Sequence, residues 1–399
     1  MARPAAAAAR AEQTNDRGRL TFELSACIDA AAFVLADPVR AVIDLPQIDF
    51  ALPPETGRPA SLQHHKAGII TAFRFGQIEP GKSRIVIDLA GPARITRADC
   101  ERSETDGRPR LIIELAKTDP ASFEAAVHAA RTHAAETAQA KSTQMPQPPA
   151  GKPVIVLDPG HGGIDKGAIV KGLIEKELVF EFAKALAAKL EADGRFTVVM
   201  TRQGDSFVSL SERVRIARES KAGLFVSIHA DTLSDAAEVS GATVYTLSQH
   251  ASDAEAARVA EKENQADAAA GLDISGDSNE VSDILFDLTR RETRAYGHLF
   301  ARTLVNYFGA AGRLNKNPRR SAGFRVLKAP DVPSVLLELG YLSNESDGRA
   351  LSSAEWRDKA SGQVAAAIEA YFSAREGKET MTKADSDPGS AGKMPPAAP

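Results

Sequence analysis

Val154-Ile155-Val156-Leu157-Asp158-Pro159-Gly160-His161-Gly162-Gly163 joins an apolar run to a glycine-rich turn around one histidine. Its four leading apolar residues are bounded at once by a turn signal and read as a short buried strand, which Asp158-Pro159-Gly160 stops. His161 is thereby delivered to the carboxyl end of that strand, where ligands of open α/β sheets collect. The glycines around it allow a tight turn and a close backbone approach to a bound group. Glu175 then opens a helical pattern running to about residue 190. A second apolar run, Leu224-Phe225-Val226-Ser227-Ile228, ends in His229-Ala230-Asp231 and brings another imidazole to the same sheet edge. Imidazole nitrogen and carboxylate oxygen both suit Zn²⁺, and two histidines with one glutamate leave one tetrahedral position open.

Taken singly, each residue has a plainer reading. The glycine-rich loop could be an anion-binding turn, His229 a structural histidine, and Glu175 a first-turn carboxylate favoured by the helix dipole. Their convergence, two strand ends and one helix start meeting at one edge, carries the expectation of a metal site. In Ser334-Val335-Leu336-Leu337-Glu338-Leu339-Gly340-Tyr341-Leu342-Ser343-Asn344 a carboxylate interrupts an apolar strand, and a buried glutamate needs a partner. Glu338 either pairs with an arginine such as Arg202 or Arg213, or serves as a general base with its proton affinity raised by apolar surroundings.

Strands expected at residues 196–201 and 241–247 alternate with helices, and Ser209-Leu210-Ser211-Glu212 is a capping box opening a helix through residue 219. Ser352-Ser353-Ala354-Glu355 caps the closing helix in the same way. This alternation predicts an α/β domain with a mainly parallel twisted sheet covered by helices on both faces. Upstream, Ala41-Val42-Ile43-Asp44-Leu45, Ile69-Ile70-Thr71-Ala72-Phe73-Arg74-Phe75, Arg84-Ile85-Val86-Ile87-Asp88-Leu89 and Arg110-Leu111-Ile112-Ile113-Glu114-Leu115 are short runs of β texture between turn residues, which predicts a small all-β sandwich.

Asp-Pro-Gly-His-Gly-Gly (158–163), Ile-Glu-Lys-Glu-Leu (174–178), Ser-Ile-His-Ala-Asp (227–231) and Leu-Glu-Leu-Gly-Tyr-Leu-Ser-Asn (337–344), in this order, resemble the N-acetylmuramoyl-L-alanine amidases of the amidase 3 family over roughly residues 152–373. The resemblance implies zinc held by His161, Glu175 and His229, with Glu338 as the catalytic carboxylate. It also implies peptidoglycan as substrate, cut between the lactyl group of N-acetylmuramic acid and L-alanine. Phe-Arg-Phe-Gly (73–76) and Arg-Ile-Val-Ile-Asp-Leu (84–89) resemble the AMIN domains that precede such amidases and target them to the wall, especially at division sites.

The expected layout is an unstructured stretch 1–19, an AMIN-like β domain 20–117, a helix and Pro/Ala-rich linker 118–152, the zinc amidase domain 153–374 and a disordered tail 375–399. About 75 residues separate Leu247 from the strand expected near Phe324, more than one crossover helix needs. Helices are expected at 254–270 and 280–308 within this surplus. Glu261-Lys262-Glu263-Asn264-Gln265-Ala266-Asp267 resembles part of the inhibitory insert, about 250–295, that a LytM-type activator displaces in division-associated amidases. Glu263, with Glu261 next, is expected to take the open zinc position.

The composition agrees with a globular protein: 399 residues, 43% hydrophobic, net charge −4. That charge offers nothing to nucleic acid, and no apolar run reaches the roughly 20 residues of a membrane span. Cys27 and Cys100 lack metal-ligand spacing, and are expected as buried thiols or, in an oxidising compartment, a disulfide. Residues 1–9 lack the apolar core of a secretory signal. Because the implied substrate lies outside the cytoplasmic membrane, the periplasm is expected, with a signal peptide missing from this sequence. Two other readings stand beside the amidase: a zinc peptidase of the carboxypeptidase type, cutting peptide bonds, and a catalytically silent wall-binding scaffold.

Overall fold

A computed structural model describes residues 3–58, 62, 68–138, 151–192, 194–233, 238–272 and 284–385. The amino-terminal half is a two-sheet β sandwich. Its strands are β1 (Ala5–Gln13), β2 (Arg17–Leu24), β3 (Ala31–Leu35), β4 (Arg40–Pro46), β5 (Asp49–Phe50), β6 (Ile70–Glu79), β7 (Lys82–Leu89), β8 (Ala93–Arg102) and β9 (Pro109–Lys117). One sheet has the order β5-β1-β2-β9-β8 and the other β3-β4-β7-β6. Their inner faces share one apolar core, including Leu20, Phe22, Ile43, Phe73, Phe75, Ile85, Ile87, Leu111 and Ile113. Residues 1–19, expected to be unstructured, instead include all of β1. Its alanines read poorly as a strand, but β2 supplies its hydrogen-bonding partner, and Ala6 and Ala11 are buried in the sandwich. Cys27 and Cys100 are not free thiols: they form a disulfide tying the loop after β2 to β8.

The motif Arg-x-Val-Ile-Asp-Leu occurs twice, at Arg40–Leu45 in β4 and Arg84–Leu89 in β7. The two strands pair antiparallel, with Arg40 opposite Asp88, Val42 opposite Val86 and Asp44 opposite Arg84. Alternation along each strand sends Ile43, Ile85 and Ile87 into the core. The arginines, valines and aspartates then share the outer face. Helix α1 (Pro120–Ala138) follows and packs Phe123 and Val127 on the sandwich; the rest of the expected linker, 139–150, lies outside the described residues.

In the second half β10 (Val154–Pro159) is followed by the hairpin β11 (Ile169–Val170) and β12 (Leu173–Ile174), α2 (Glu175–Ala192), β13 (Thr197–Met200), α3 (Leu210–Glu219), β14 (Leu224–His229) and β15 (Ala242–Leu247). Next come α4 (Ala254–Asn264), α5 (Ala266–Ala269), α6 (Ile284–Phe308), β16 (Leu314–Ala322), β17 (Ser334–Glu338), α7 (Glu345–Ser352) and α8 (Ala354–Asp385). The sheet order is β13-β10-β14-β17-β15-β16, parallel except between β17 and β15. Ile155, Leu157, Val226 and Leu337 face α2, α6 and α8, whereas Val156, Phe225 and Leu336 face α3 and α4. Both faces are buried, which is why these strands read as continuous apolar runs.

Ser209 caps α3 by accepting from the Glu212 N–H at 3.2 Å, and Ser353 Oγ accepts from the Trp356 N–H at 3.2 Å. The helix expected over 254–270 is divided at Gln265, and residues 280–283 of the next expected helix lie outside the described residues. The tail expected to be disordered from 375 begins as the continuation of α8, held where Arg375 stacks on Tyr296 and Arg195 pairs with Glu376 at 3.0 Å. No helix among the described residues is long and apolar enough to cross a membrane.

Candidate metal centre

The parallel strands β10, β14 and β17 stop side by side, with His229 in register with Glu338 and the chain after β10 turning into the His161 loop. The loop is tight because it must lie against a second imidazole: a Cβ on Gly160 would fall 2.3 Å from His229 Cε1. His161 itself has φ 57°, a left-handed backbone that costs a residue with a side chain about 1–2 kcal/mol. Backbone bonds between Gly162 and Asp165 in both directions, 2.8 and 3.1 Å, close the turn that holds it there. The turn also places Asp165 Oδ2 2.8 Å from His161 Nδ1, which leaves Nε2 to face the site. Asp165 had no signal in the sequence beyond lying one tight turn past the histidine.

His161 Nε2 lies 3.1 Å from Glu175 Oε1, without the alignment of a hydrogen bond. His229 turns Nδ1 to the same oxygen at 3.3 Å. Glu175, at the start of α2, is fully buried and anchored by the Ala230 N–H to Oε1 at 2.9 Å and the Ala168 N–H to Oε2 at 2.8 Å. The sequence-predicted trio therefore meets at one point. Glu263 joins it from α4, with Oε2 3.1 Å from His229 Nδ1 and 3.9 Å from His161 Nε2. One atom each of His161, His229 and Glu263 that could ligate a metal lie within 4.8 Å of one another. Glu261, the second candidate, is exposed.

Burial lowers the proton affinity of His161, but Asp165, Glu175 and Glu263 outweigh it and hold the ring well above its ordinary value. His229 is likewise lowered by burial and raised, in the balance, chiefly by Glu263 and Glu175. The same carboxylate field favours a cation in the gap between the rings. Two buried imidazoles, a backbone-anchored carboxylate, and His161 Nε2 and Glu263 Oε1, which have no hydrogen-bond partner among the described residues, fit a Zn²⁺ ion.

Glu338 is fully buried. Its Oε2 accepts the Asp231 N–H at 3.1 Å, while Oε1 has no hydrogen-bond partner among the described residues. Burial, with Asp231, Glu175 and Glu263 nearby, pushes its carboxyl well above the usual range. Neither arginine suggested for it is engaged there. Arg213 pairs with Asp158 at 2.6 Å, and Arg202 donates to the carbonyls of Pro159, Gly160 and Lys176. Asp158 also accepts from Thr201 Oγ1 and Ser227 Oγ, so a buried polar knot braces the loop from behind.

The junction of α4 and α5 is fixed through Lys262, Asn264 and Asp267. Lys262 pairs with Asp231, Asn264 donates from Nδ2 to the Gly323 carbonyl at 2.9 Å and accepts the Arg325 N–H at 2.7 Å, and Asp267 accepts the Leu210 N–H at 2.9 Å. The cavity left between Asp158, His161, Arg213, His229, Glu263 and Asn264 holds about 10 Å³, the lower edge of what one water needs.

Residues 155–370 match the family model for N-acetylmuramoyl-L-alanine amidase, amidase 3. The chain belongs to that amidase family. Residues 8–115 match the AMIN domain. The amidase AmiC of Escherichia coli O6:H1 is 32% identical over 89% of this chain and 86% of its own length. AmiC of Neisseria meningitidis serogroup B is 33% identical over 92% and 90%. Among solved structures, the amidase AmiC2 of Nostoc punctiforme is 28% identical, covering 56% of this chain and 99% of its own, with a TM-score of 0.41.

Proposed function

We propose that this amidase is a zinc hydrolase of peptidoglycan that cuts the N-acetylmuramic acid to L-alanine amide and is held inactive by α4–α5. The observation that carries the reading is the meeting of His161, Glu175 and His229 beside a buried glutamate whose Oε1 has no hydrogen-bond partner among the described residues. Zinc held by those three side chains would polarise the scissile carbonyl and bring the proton affinity of water towards neutrality. Glu338 Oε1 accepts the proton of the attacking water and returns it to the departing L-alanine nitrogen, while the Asp231 N–H fixes Oε2. Asp165 keeps His161 in one tautomer and one orientation. Glu263 fills the space a substrate carbonyl would need, so turnover requires α4 to move.

A partner that relieves this block must bind the open form better than the closed one; a LytM-type activator fits that role, with the periplasm as location and daughter-cell separation as purpose. The test is the mass of products released from purified peptidoglycan by zinc-loaded protein. Stem peptides with a free L-alanine amino group are expected, and Glu338→Gln should lower their release by about 10²–10⁴-fold with zinc content unchanged. Fragments cut within the stem would mark a peptidase. No release from any folded, zinc-loaded variant with α4 displaced would favour a silent scaffold.

A further inference from the structure

The outer face of β4, β6 and β7 carries three arginines around Val42 and Val86. Asp44 lies 2.5 Å from Arg84 and Asp88 lies 2.5 Å from Arg74, which orients those two guanidinium groups. The carboxyl end of α5 sits on this face. Arg40 Nη1 donates to the Ala268 carbonyl and Nη2 to that of Leu272 at 3.3 Å. Arg74 Nε donates to Ala269 at 3.0 Å, and Arg84 Nη1 to Ala270 and Gly271 at 3.2 and 3.1 Å. Five consecutive carbonyls, 268 to 272, thus accept from three guanidinium groups of the other domain. The first two belong to the last turn of α5 and the other three follow it directly, so a row of backbone acceptors meets cationic donors, whose hydrogen bonds are the stronger kind.

Packing repeats the arrangement. Ala270 and Val86 are buried together, with Ile164 of the His161 loop and Phe207. Gly271 has φ 72°, and a Cβ there would lie 2.9 Å from Val86 and 3.1 Å from Val42. The β domain also reaches the His161 loop directly, since the Ile164 N–H donates to the Gln77 carbonyl at 3.1 Å.

From this geometry we infer that Arg40, Arg74 and Arg84 of the β domain form a clamp on the carboxyl end of the α4–α5 lid, so that undocking the β domain lowers the barrier to lid opening. The inference rests on the reading of α4–α5 as an inhibitory lid and adds that this lid is held from both ends. Glu263 holds it at the metal centre, and the arginines hold it five to nine residues on. A ligand that draws the β-domain face away from α5 therefore acts on catalysis without touching the catalytic half.

The test compares intact zinc-loaded protein with Arg74→Gln/Arg84→Gln and with Glu263→Ala, reading basal peptide release from purified peptidoglycan and hydrogen exchange over residues 254–272. The arginine variant should raise release on the order of tenfold, the scale of losing several charge-assisted hydrogen bonds. It should also speed exchange in 254–272 while leaving β2 and β9 protected. Gly271→Val, which pushes on the clamp from the lid side and leaves the β domain intact, should do the same. If Glu263→Ala raises release while the arginine variant and Gly271→Val change neither release nor exchange, the clamp is wrong and the lid stands. If none of the three raises release, the lid reading fails and takes the clamp with it.

Discussion

His161 presents Nε2 to the proposed metal centre because Asp165 occupies Nδ1, and both are set by a backbone turn that costs the histidine its ordinary conformation. Asp165→Asn should therefore weaken zinc binding by about 10–100-fold, read by competition with a chromogenic chelator, while activity at saturating zinc falls far less. Behind the loop, burial raises the Asp158 carboxyl, but Arg213, Thr201 and Ser227 outweigh it and leave it below its ordinary value. A carboxyl depressed on folding contributes stability that is present above its unfolded value, near 4, and lost as pH falls through the folded one. Asp158→Asn should cost about 3–5 kcal/mol at neutral pH, because Arg213 is left buried and unpaired. Urea unfolding should show that difference shrinking as pH drops below about 4; a constant difference down to pH 2 would remove Asp158 from the account. That His161, Glu175, His229 and Glu338 gather at one sheet edge was legible in the sequence because each ends or interrupts an apolar strand or opens a helix. Asp165 and Asp158 were not, since a turn aspartate and a strand-end aspartate look alike until the chain folds round them.

At the scale of the element, α4 packs on the sheet through Ala256, Val259 and Ala260, and α4–α5 makes further fixed contacts through residues that look charged and soluble. Periodicity showed the helix and the family resemblance pointed to Glu263. Neither could show that Lys262, Asn264 and Asp267 each have a fixed partner, because those partners are Asp231, just past β14, and backbone groups distant in the chain. Asn264→Ala removes two hydrogen bonds to backbone without altering the metal centre, so basal release should rise by roughly fivefold, from about 1 kcal/mol of lost latching. Unchanged release with unchanged exchange in α4 would show that Asn264 does not latch. Dependence on partners also explains β1: alanine has little strand preference of its own, and the adjoining β2 with the sandwich core decides its state.

For the molecule as a whole, the α/β and all-β halves were readable from alternation and turn spacing, whereas their docking was not. The repeated Arg-x-Val-Ile-Asp-Leu motif reads as ordinary strand alternation until antiparallel pairing gathers its arginines on one face beside α5. Cys27 and Cys100 are another case, since a separation of 73 residues says nothing about which strands will bring them together. We propose a metal hydrolase closed by its own Glu263. It is tested most directly by peptide release from purified peptidoglycan with zinc-loaded intact protein, Glu263→Ala and Glu263→Ala/Glu338→Gln side by side. The account predicts slow release from the intact chain, at least tenfold faster release of L-alanine-ended peptides from Glu263→Ala, the loss of about 1.4 kcal/mol of closure, and none from the double variant. Equal rates for the intact chain and Glu263→Ala, both folded and zinc-loaded, would contradict it.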